Sequence, residues 1–338
     1  MKVKALDVLV CPACKSTLEL TTQEQDGAEV LSGQLNCLRC NASYAIVRGI
    51  PRFVSAESYA SSFGPQWNWG RKVQLDSMNG TTESNRALRA ASGWGDSDFA
   101  GALVLDAGVG AGRFAEVAAS KGAEVYGIDL SSAVEAAYRN IGRLENVHIV
   151  QADIFAMPFR AQTFDLAYSI GVLHHTPDPR AAFRHVSNTV KAGGDFAVYL
   201  YHRYGIYHVC SDLWRTVTTR LPLGVMAVLT AASVPLYYVY KVPLLGKVLS
   251  VLFPISHNET WRDRWLDTFD WYTPKYQWKF LNPDVLRWFN ETGFQDVVIF
   301  DEPIRMRGTK AAQDNQLAFP RVKESAGQDP VAARSATA

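Results

Sequence analysis

Neither sign of charge dominates this sequence. Lys and Arg number 34 against 33 Asp and Glu, a net charge of +1 over 338 residues. There is then no global basic field to gather phosphate backbones, which disfavours nucleic acid as a partner. A secretory signal is lacking as well. The opening "MKVKALDVLVCPAC" holds too short an apolar run before polar residues resume, which predicts a cytoplasmic protein. No internal repeat is evident, and 48% hydrophobic with 20% charged residues excludes a disordered chain. The length suffices for one full core and a small satellite domain.

Cysteine is scarce, five residues in all, yet four of them come in pairs. "CPAC" supplies Cys11 and Cys14 and "CLRC" supplies Cys37 and Cys40, with 22 residues between. This spacing matches a zinc ribbon, in which each tight turn aims two thiolates at one tetrahedral ion. The intervening stretch alternates weakly around Asp26-Gly27, a hairpin turn. A redox dithiol is the bland alternative, but neither a thioredoxin-like surround nor an oxidising compartment supports it. Four thiolates fill the coordination sphere, so the zinc is expected to be structural. The fifth cysteine, Cys210, reads as a packed thiol. With "YAIVRGIPRFV" behind it, the segment over about residues 6–55 resembles the small zinc-ribbon activator proteins of methyltransferases.

From residue 101 onward, apolar runs suited to buried parallel strands alternate with helical stretches. "ALVLDAG", "AEVYGIDL", "NVHIVQAD", "FDLAYSI" and "DFAVYLY" read as five strands. "RFAEVAASKG" reads as a helix ended by Gly122, and "DPRAAFRHVSNTVKAGG" as a helix with its own glycine stop. This is an α/β doubly wound, Rossmann-like pattern, with ligands expected beyond the carboxyl ends of the strands.

Gly108, Gly110 and Gly112 follow the first strand, and Gly110, Gly112 and Ala115 also satisfy the looser pattern of dinucleotide sites. The acids discriminate. Asp106 ends strand one, where a carboxylate would repel a pyrophosphate and welcome a sulfonium. Asp129, 23 residues later, ends strand two and can accept from ribose hydroxyls, and Asp153 ends strand three within reach of an adenine amino group. Three acids on successive strand ends describe S-adenosyl-L-methionine better than NAD. On these residues the chain resembles class I S-adenosylmethionine-dependent methyltransferases, closest to the ubiquinone/menaquinone-biosynthesis type, over roughly residues 100–205 and 264–310. The resemblance implies that Asp106, Gly108, Gly110 and Gly112 line the methionine end, Asp129 the ribose, and Asp153 with Ile154 the adenine. Leu130 and Ser169 are counted with this cofactor set. Val109 stands where family members often carry Cys or Thr, a change that backbone contacts should survive.

"SIGVLHHTPDP" follows strand four, where the resemblance places groups facing the transferable methyl. His174 and His175 have the chemistry of a general base for a hydroxyl, phenol or amine acceptor. Either can instead order the loop, and of the two His175, beside the start of the next helix, looks more like an anchor. His202 in "YLYHRYG" is a further acceptor-side candidate. So are Asp270 and Tyr272 of "DWYTP", for which tying the neighbouring segment to the sheet is the equal alternative. A carbanionic or thiolate acceptor needs no base.

Residues 203–282 form an insertion too long for a loop. "LPLGVMAVLTAASVPLYYVY" runs 20 residues without a charge, close to spanning length. Pro222 and Pro235 divide it and a sheet strand lies downstream, so a helical lid over the acceptor is expected first. Peripheral membrane contact through residues 221–256 comes second and a true span last. Either leading reading implies a small acceptor with a large apolar part. "NPDVLRWFNETG" is a helix closed by Gly293, and two strands around Pro303 give the sheet an antiparallel end.

The expected organisation is a ribbon over 1–56, a linker with cofactor-lid helices over 57–100, and a cofactor-binding core over 101–202. The acceptor-side insertion follows over 203–282, the last helix and strands of the core over 283–310, and a mobile tail over 311–338. Gln66 and Trp67 in the linker are the expected lid contacts. A small-molecule methyltransferase is the leading function. Methylation of RNA or protein is the enzyme alternative, and a non-catalytic cofactor-binding scaffold the alternative of another class.

Overall fold

A computed structural model describes residues 1–54, 75–203, 207–301, 304–312 and 322–324. The N-terminal unit is an antiparallel sheet of β1 (Leu18–Asp26), β2 (Glu29–Cys37), β3 (Ser43–Val47) and β4 (Ile50–Pro51), paired in chain order. Gly27 turns β1 into β2 at φ +56, a left-handed value that glycine adopts without strain.

Short helices α1 (Asp76–Asn79), α2 (Glu83–Ser92) and α3 (Asp96–Phe99) lead to the large sheet. Its parallel part is β5 (Leu103–Ala107), β6 (Glu124–Asp129), β7 (Val147–Gln151), β8 (Phe164–Ile170) and β9 (Val190–Tyr199). Helices α4 (Arg113–Ser120), α5 (Ala133–Ile141) and α6 (Pro179–Ser187) connect strands of this part. Asp178 starts α6 by accepting the Ala181 N–H at 3.0 Å, and Pro179 follows in the first turn, where its missing N–H costs nothing.

The insertion contributes α7 (Tyr207–Thr218), α8 (Leu223–Ala231), α9 (Ser233–Tyr240), α10 (Leu245–Leu252) and α11 (Trp261–Tyr272). Then come α12 (Asn282–Glu291), β10 (Phe294–Ile299), β11 (Arg305–Lys310) and β12 (Val322–Glu324). The sheet order is β12-β10-β11-β9-β8-β5-β6-β7, with β11 antiparallel to both neighbours. The chain adds β6 and β7 on one side of β5 and then crosses to β8 on the other, so a switch point lies at the carboxyl end of β5.

Two expectations change. The helix expected to reach Gly194 ends at Ser187, and strand five begins at Val190 rather than Asp195. Phe164 pairs with Val190 but Leu166 pairs with Asp195, so the Ala-Gly-Gly stretch forms a bulge inside β9 rather than a helix stop. Gly193 sits there at φ +79, and a Cβ on Gly194 would lie 2.6 Å from the Asp165 carbonyl oxygen. In the segment expected to be a mobile tail, Val322–Glu324 pairs in parallel with β10; residues 313–321 and 325–338 lie outside the described residues.

Alternate residues of the central strands feed a core on each face. Leu105, Tyr126 and Ile128 pack with Phe183 and Phe289 on one side, and Val104, Val125 and Tyr168 with Ala115, Val134 and Leu88 on the other. The ribbon is not a bead on a string. Leu9, Val30, Leu35, Ile46 and Phe53 belong to the same buried cluster as Val150 and Phe159. The Phe53 N–H donates to Gln151 O at 2.8 Å, and the Val10 N–H to Pro158 O at 2.9 Å. The ribbon therefore covers the β7 edge, which would otherwise present unpaired backbone groups.

Candidate functional site

The chain leaves β5 through a turn that only glycines can make. Gly108 sits at φ +105, and a Cβ there would lie 2.3 Å from Val172 Cγ2. Gly112 sits at φ +96, and a Cβ would meet Ile141 Cδ1 at 2.6 Å, so this glycine lets α4 pack on α5. Between them, the Gly110 N–H donates to Asp129 Oδ2 at 3.1 Å.

A cavity opens beyond the strand ends. The turn lines it with Gly108, Val109, Gly110 and Ala111; α4 adds Arg113 and Phe114; β6 and the following residue add Ile128, Asp129 and Leu130. Ile154, Ile170, Gly171, Val172, His175 and Thr176 complete the wall on the sheet side, and Asp270 comes from α11. Gly171 lies at φ +78 with nothing within 4 Å of a built Cβ, so space is left there for a ligand.

Asp129 is the acid that this arrangement presents. The Ser131 N–H and Oγ–H donate to Oδ1 at 2.9 and 2.7 Å, complementing Gly110 on the other oxygen. Burial raises its pKa while these donors pull it back. An oriented carboxylate of this kind suits a pair of vicinal hydroxyls.

The other two acids are placed differently from the expectation. Asp106 is 2% exposed and does not line the cavity; it accepts from the Tyr168 hydroxyl at 3.0 Å. Burial, with the charge of Asp129 adding to it, pushes its pKa up to about 7. Asp153 accepts from the Phe155 N–H at 3.0 Å and caps the short turn Ile154–Ala156. Ser169 is buried and donates to Ala107 O. Gln66 and Trp67 lie outside the described residues. Of the three strand-end acids, only Asp129 lines the cavity; Asp270 of the insertion and the Arg113 cation line it as well. Burial lowers the Arg113 pKa, and Asp76, Glu83 and Asp267 oppose that. The sequence signal for Arg113 was positional: the first residue of a helix after a glycine turn must stand at the rim.

The two histidines are placed differently from each other. His175 lines the cavity, and burial pushes its pKa down to about 4. His174 is fully buried against Tyr201, with ring centroids 3.9 Å apart, and neither ring nitrogen has a hydrogen-bond partner. Burial holds it well below the usual histidine range. The loop after α11 covers this pair: the Trp278 N–H donates to His174 O at 2.8 Å and its indole to Thr176 O at 3.1 Å. His202 bridges to Phe280 away from the cavity wall. The Tyr272 hydroxyl donates to Pro254 O at 2.7 Å, so its polar end serves the insertion.

In the ribbon, Cys11, Cys14, Cys37 and Cys40 bring their sulfurs within 4.8 Å of one another. Cys11 and Cys40 sulfurs lie 3.6 Å apart and those of Cys14 and Cys37 3.4 Å apart. Tetrahedral thiolates at about 2.3 Å from zinc would stand roughly 3.8 Å apart, so the donor set fits a zinc ion.

Comparison with known proteins finds similarity in two segments of the chain. Residues 105–198 match the family described as "Methyltransferase domain", and residues 2–49 match "Trm112p-like protein". The core of the chain is thus similar to class I S-adenosylmethionine-dependent methyltransferases. Its ribbon is Trm112-like. The "Ubiquinone biosynthesis O-methyltransferase" of Coxiella burnetii is 31% identical over 120 residues, 32% of this chain and 51% of that protein. "Cycloartenol-C-24-methyltransferase 1" of Oryza sativa is 34% identical over 104 residues, 29% of this chain and 30% of its own. An S-adenosylmethionine dependent methyltransferase structure from Mesorhizobium loti shares 33% identity over 31% of this chain and 48% of its own, with a TM-score of 0.29. The chain spans about half the length, or less, of the curated relatives it matches. The matched segment 105–198 contains every lining residue of the cavity except Asp270, which the insertion supplies.

Proposed function

We propose that the chain transfers a methyl group from S-adenosylmethionine to a small acceptor with a large apolar part, and that its four cysteines hold a structural zinc ion. The observation that carries this reading is the cavity at the strand ends, where Asp129 and His175 stand on one wall within the family-matched segment. S-adenosylmethionine supplies a methyl group made electrophilic by its sulfonium. Asp129 accepts from the ribose hydroxyls, Leu130 and Ile154 enclose the adenosine, and Arg113 offers its charge to the carboxylate of the methionine end. The glycine turn lets the backbone approach closely. His175 would face the acceptor and take up its proton at Nε2; the acceptor–carbon bond would form as the carbon–sulfur bond breaks, with S-adenosylhomocysteine as the leaving group. The apolar wall of Val109, Ile170 and Val172 and the apolar insertion support an acceptor with a hydrophobic body. The quinone- and sterol-pathway names of the matched relatives point the same way.

The Trm112p-like match favours a second reading, methylation of RNA or protein. The near-neutral charge opposes the RNA version. Calorimetry with S-adenosylmethionine and NADH, followed by turnover assays on apolar phenols, bulk tRNA and protein extracts, tests the proposal. Binding of the methyl donor but not NADH, with products 14 mass units heavier from the phenol panel (about the mass of one CH2), is expected. Tight NADH binding would refute the cofactor assignment. Binding without turnover of any acceptor class would favour a scaffold.

A further inference from the structure

The insertion presents an apolar surface to solvent that is concentrated in one place. Outside residues 209–261, the large hydrophobic side chains exposed among the described residues are Val3, Leu38, Val47, Met78, Leu144 and Trp278, scattered over the molecule. Inside that stretch they follow one another. Val228 on α8 is 74% exposed, Tyr238 on α9 67%, and Leu244 just before α10 76%. The run Leu223–Tyr240 is 18 residues long and apolar enough to suit a bilayer, yet 22% of it is buried. On α8 and α9 the inward-facing residues are Met226, Thr230, Ser233 and Tyr240. Helices apolar around their whole circumference belong in a core or in lipid, and the core beside these is small, Met226 with Phe269 and Tyr272.

The charges name the occupant. Between Asp212 and Glu259 the sequence has no carboxylate, while Arg220, Lys241 and Lys247 are exposed beside the apolar run. The Lys241 ammonium lies 4.5 Å from the centre of the Tyr237 ring. Lys, Arg and Tyr at the margins of an apolar surface suit the headgroup layer. A second copy of the chain fits poorly, because a two-fold contact would bring these cations against their equivalents.

The ends of the run favour a surface position over a span. Arg215 on α7, before it, donates to Trp271 O at 2.8 Å after it, so both ends are tied on the same side. An 18-residue helix is also only about 27 Å long, short of a hydrocarbon core of about 30 Å. We propose that α8, α9 and α10 dock peripherally on an anionic phospholipid surface, laying their exposed apolar residues into the headgroup and acyl boundary. This docking does not depend on methyl transfer and is read without a substrate.

Co-sedimentation of the full chain with vesicles of phosphatidylcholine alone, or mixed with phosphatidylglycerol, tests it. Binding to the mixed vesicles and release by alkaline carbonate are expected. Val228→Glu and Tyr238→Glu should each weaken binding about tenfold, the scale of one lost apolar insertion, with thermal midpoints unchanged because both side chains are already exposed. Lys241→Gln and Lys247→Gln should each weaken it about fivefold on mixed vesicles and leave phosphatidylcholine unaffected. These two keep the test alive should the Glu variants misfold. A wild-type chain that stays in the supernatant with mixed vesicles overturns the proposal. So does resistance to carbonate, which would indicate a span. A dimer that Val228→Glu dissociates, in the absence of vesicle binding, would assign the face to a second copy instead.

Discussion

The Nδ1 atom of His175 lies 2.9 Å from the carbonyl oxygen of Tyr276. A carbonyl can only accept, so in the neutral ring Nδ1 carries the proton and Nε2 is the basic atom. A loop that belongs to the insertion thus sets the tautomer of a ring on the sheet side of the cavity. His175→Ala is expected to lower kcat by about 10²–10⁴, the range for a lost proton acceptor, while S-adenosylmethionine affinity changes little. His174→Phe should leave kcat within a few-fold and hold or raise the thermal midpoint, because it removes two buried nitrogens that have no partner. Equal losses of kcat in the two variants would take the role away from His175.

Asp106 and His175 should oppose each other in the pH dependence of stability. His175 is lowered from 6.5 to about 4, so between those values the unfolded chain binds a proton that the folded chain refuses, and stability rises with pH. Asp106 is raised from 3.8 to about 7, so the folded chain keeps a proton that the unfolded chain releases, and stability falls as pH rises across that window. Each effect is on the order of 3–4 kcal/mol, and the windows overlap. These two contributions should therefore nearly cancel between pH 4 and 6.5, leaving the wild type the rise that buried His174 adds. Asp106→Asn should gain stability by a few kcal/mol over the same interval as pH rises. Urea unfolding at several pH values measures this; an Asn variant whose pH profile matches that of the wild type would contradict the buried, protonated state of Asp106.

The alternation of buried strands and the glycine turn was legible because period and turn chemistry are local. The ribbon was legible because Cys-x-x-Cys spacing encodes its own geometry. What could not be read was which way a strand-end residue points. Asp106 and Asp129 look alike in sequence, but Tyr168 draws one inward and Gly110 with Ser131 holds the other at the cavity. Nor could the sequence tell how His174 and His175 divide: one residue of rotation in a single turn separates a buried ring from one that lines the cavity and also anchors a loop through Tyr276. Gly193 and Gly194 were misread as a helix stop because a bulge is a property of a strand pair, and its partner β8 lies more than twenty residues upstream.

The ribbon should depend on its metal, and the sheet on the ribbon. One zinc ion per chain is expected by metal analysis. Cys14→Ser should reduce that content and lower the thermal midpoint of the whole chain, because the ribbon's buried side chains continue into the cluster around Val150 and Phe159. Chelation of the wild type should do the same. A metal-free preparation with an unchanged midpoint would argue that the thiols alone hold the turn.

Asp129→Ala is predicted to weaken S-adenosylmethionine binding by about 1.5–3 kcal/mol, the scale of lost charge-assisted hydrogen bonds. Asp153→Ala is expected to cost less at the cofactor, since that carboxylate caps a turn instead of lining the cavity. Calorimetry on both variants ranks them, and an inverted order would place Asp153 in contact with the adenine after all.

Gly49 marks how closely the ribbon is seated. It lies at φ +77, and a Cβ there would stand 2.1 Å from the Tyr138 hydroxyl of α5. Two docking contacts flank it: Arg48 and Arg52 both pair with Glu135 on the same helix, and Arg52 also reaches Gln151 at 2.7 Å. Gly49→Ala must either strain a left-handed backbone or displace Tyr138, each about 1–3 kcal/mol, so a loss of a few kcal/mol is expected. Tyr138→Ala should restore part of it by opening the space, leaving only the backbone strain. A double-mutant cycle over these two residues reads the coupling directly. Additive losses would mean that ribbon and helix are not in contact at this point, and that the β7 edge is covered by the strand pairing alone.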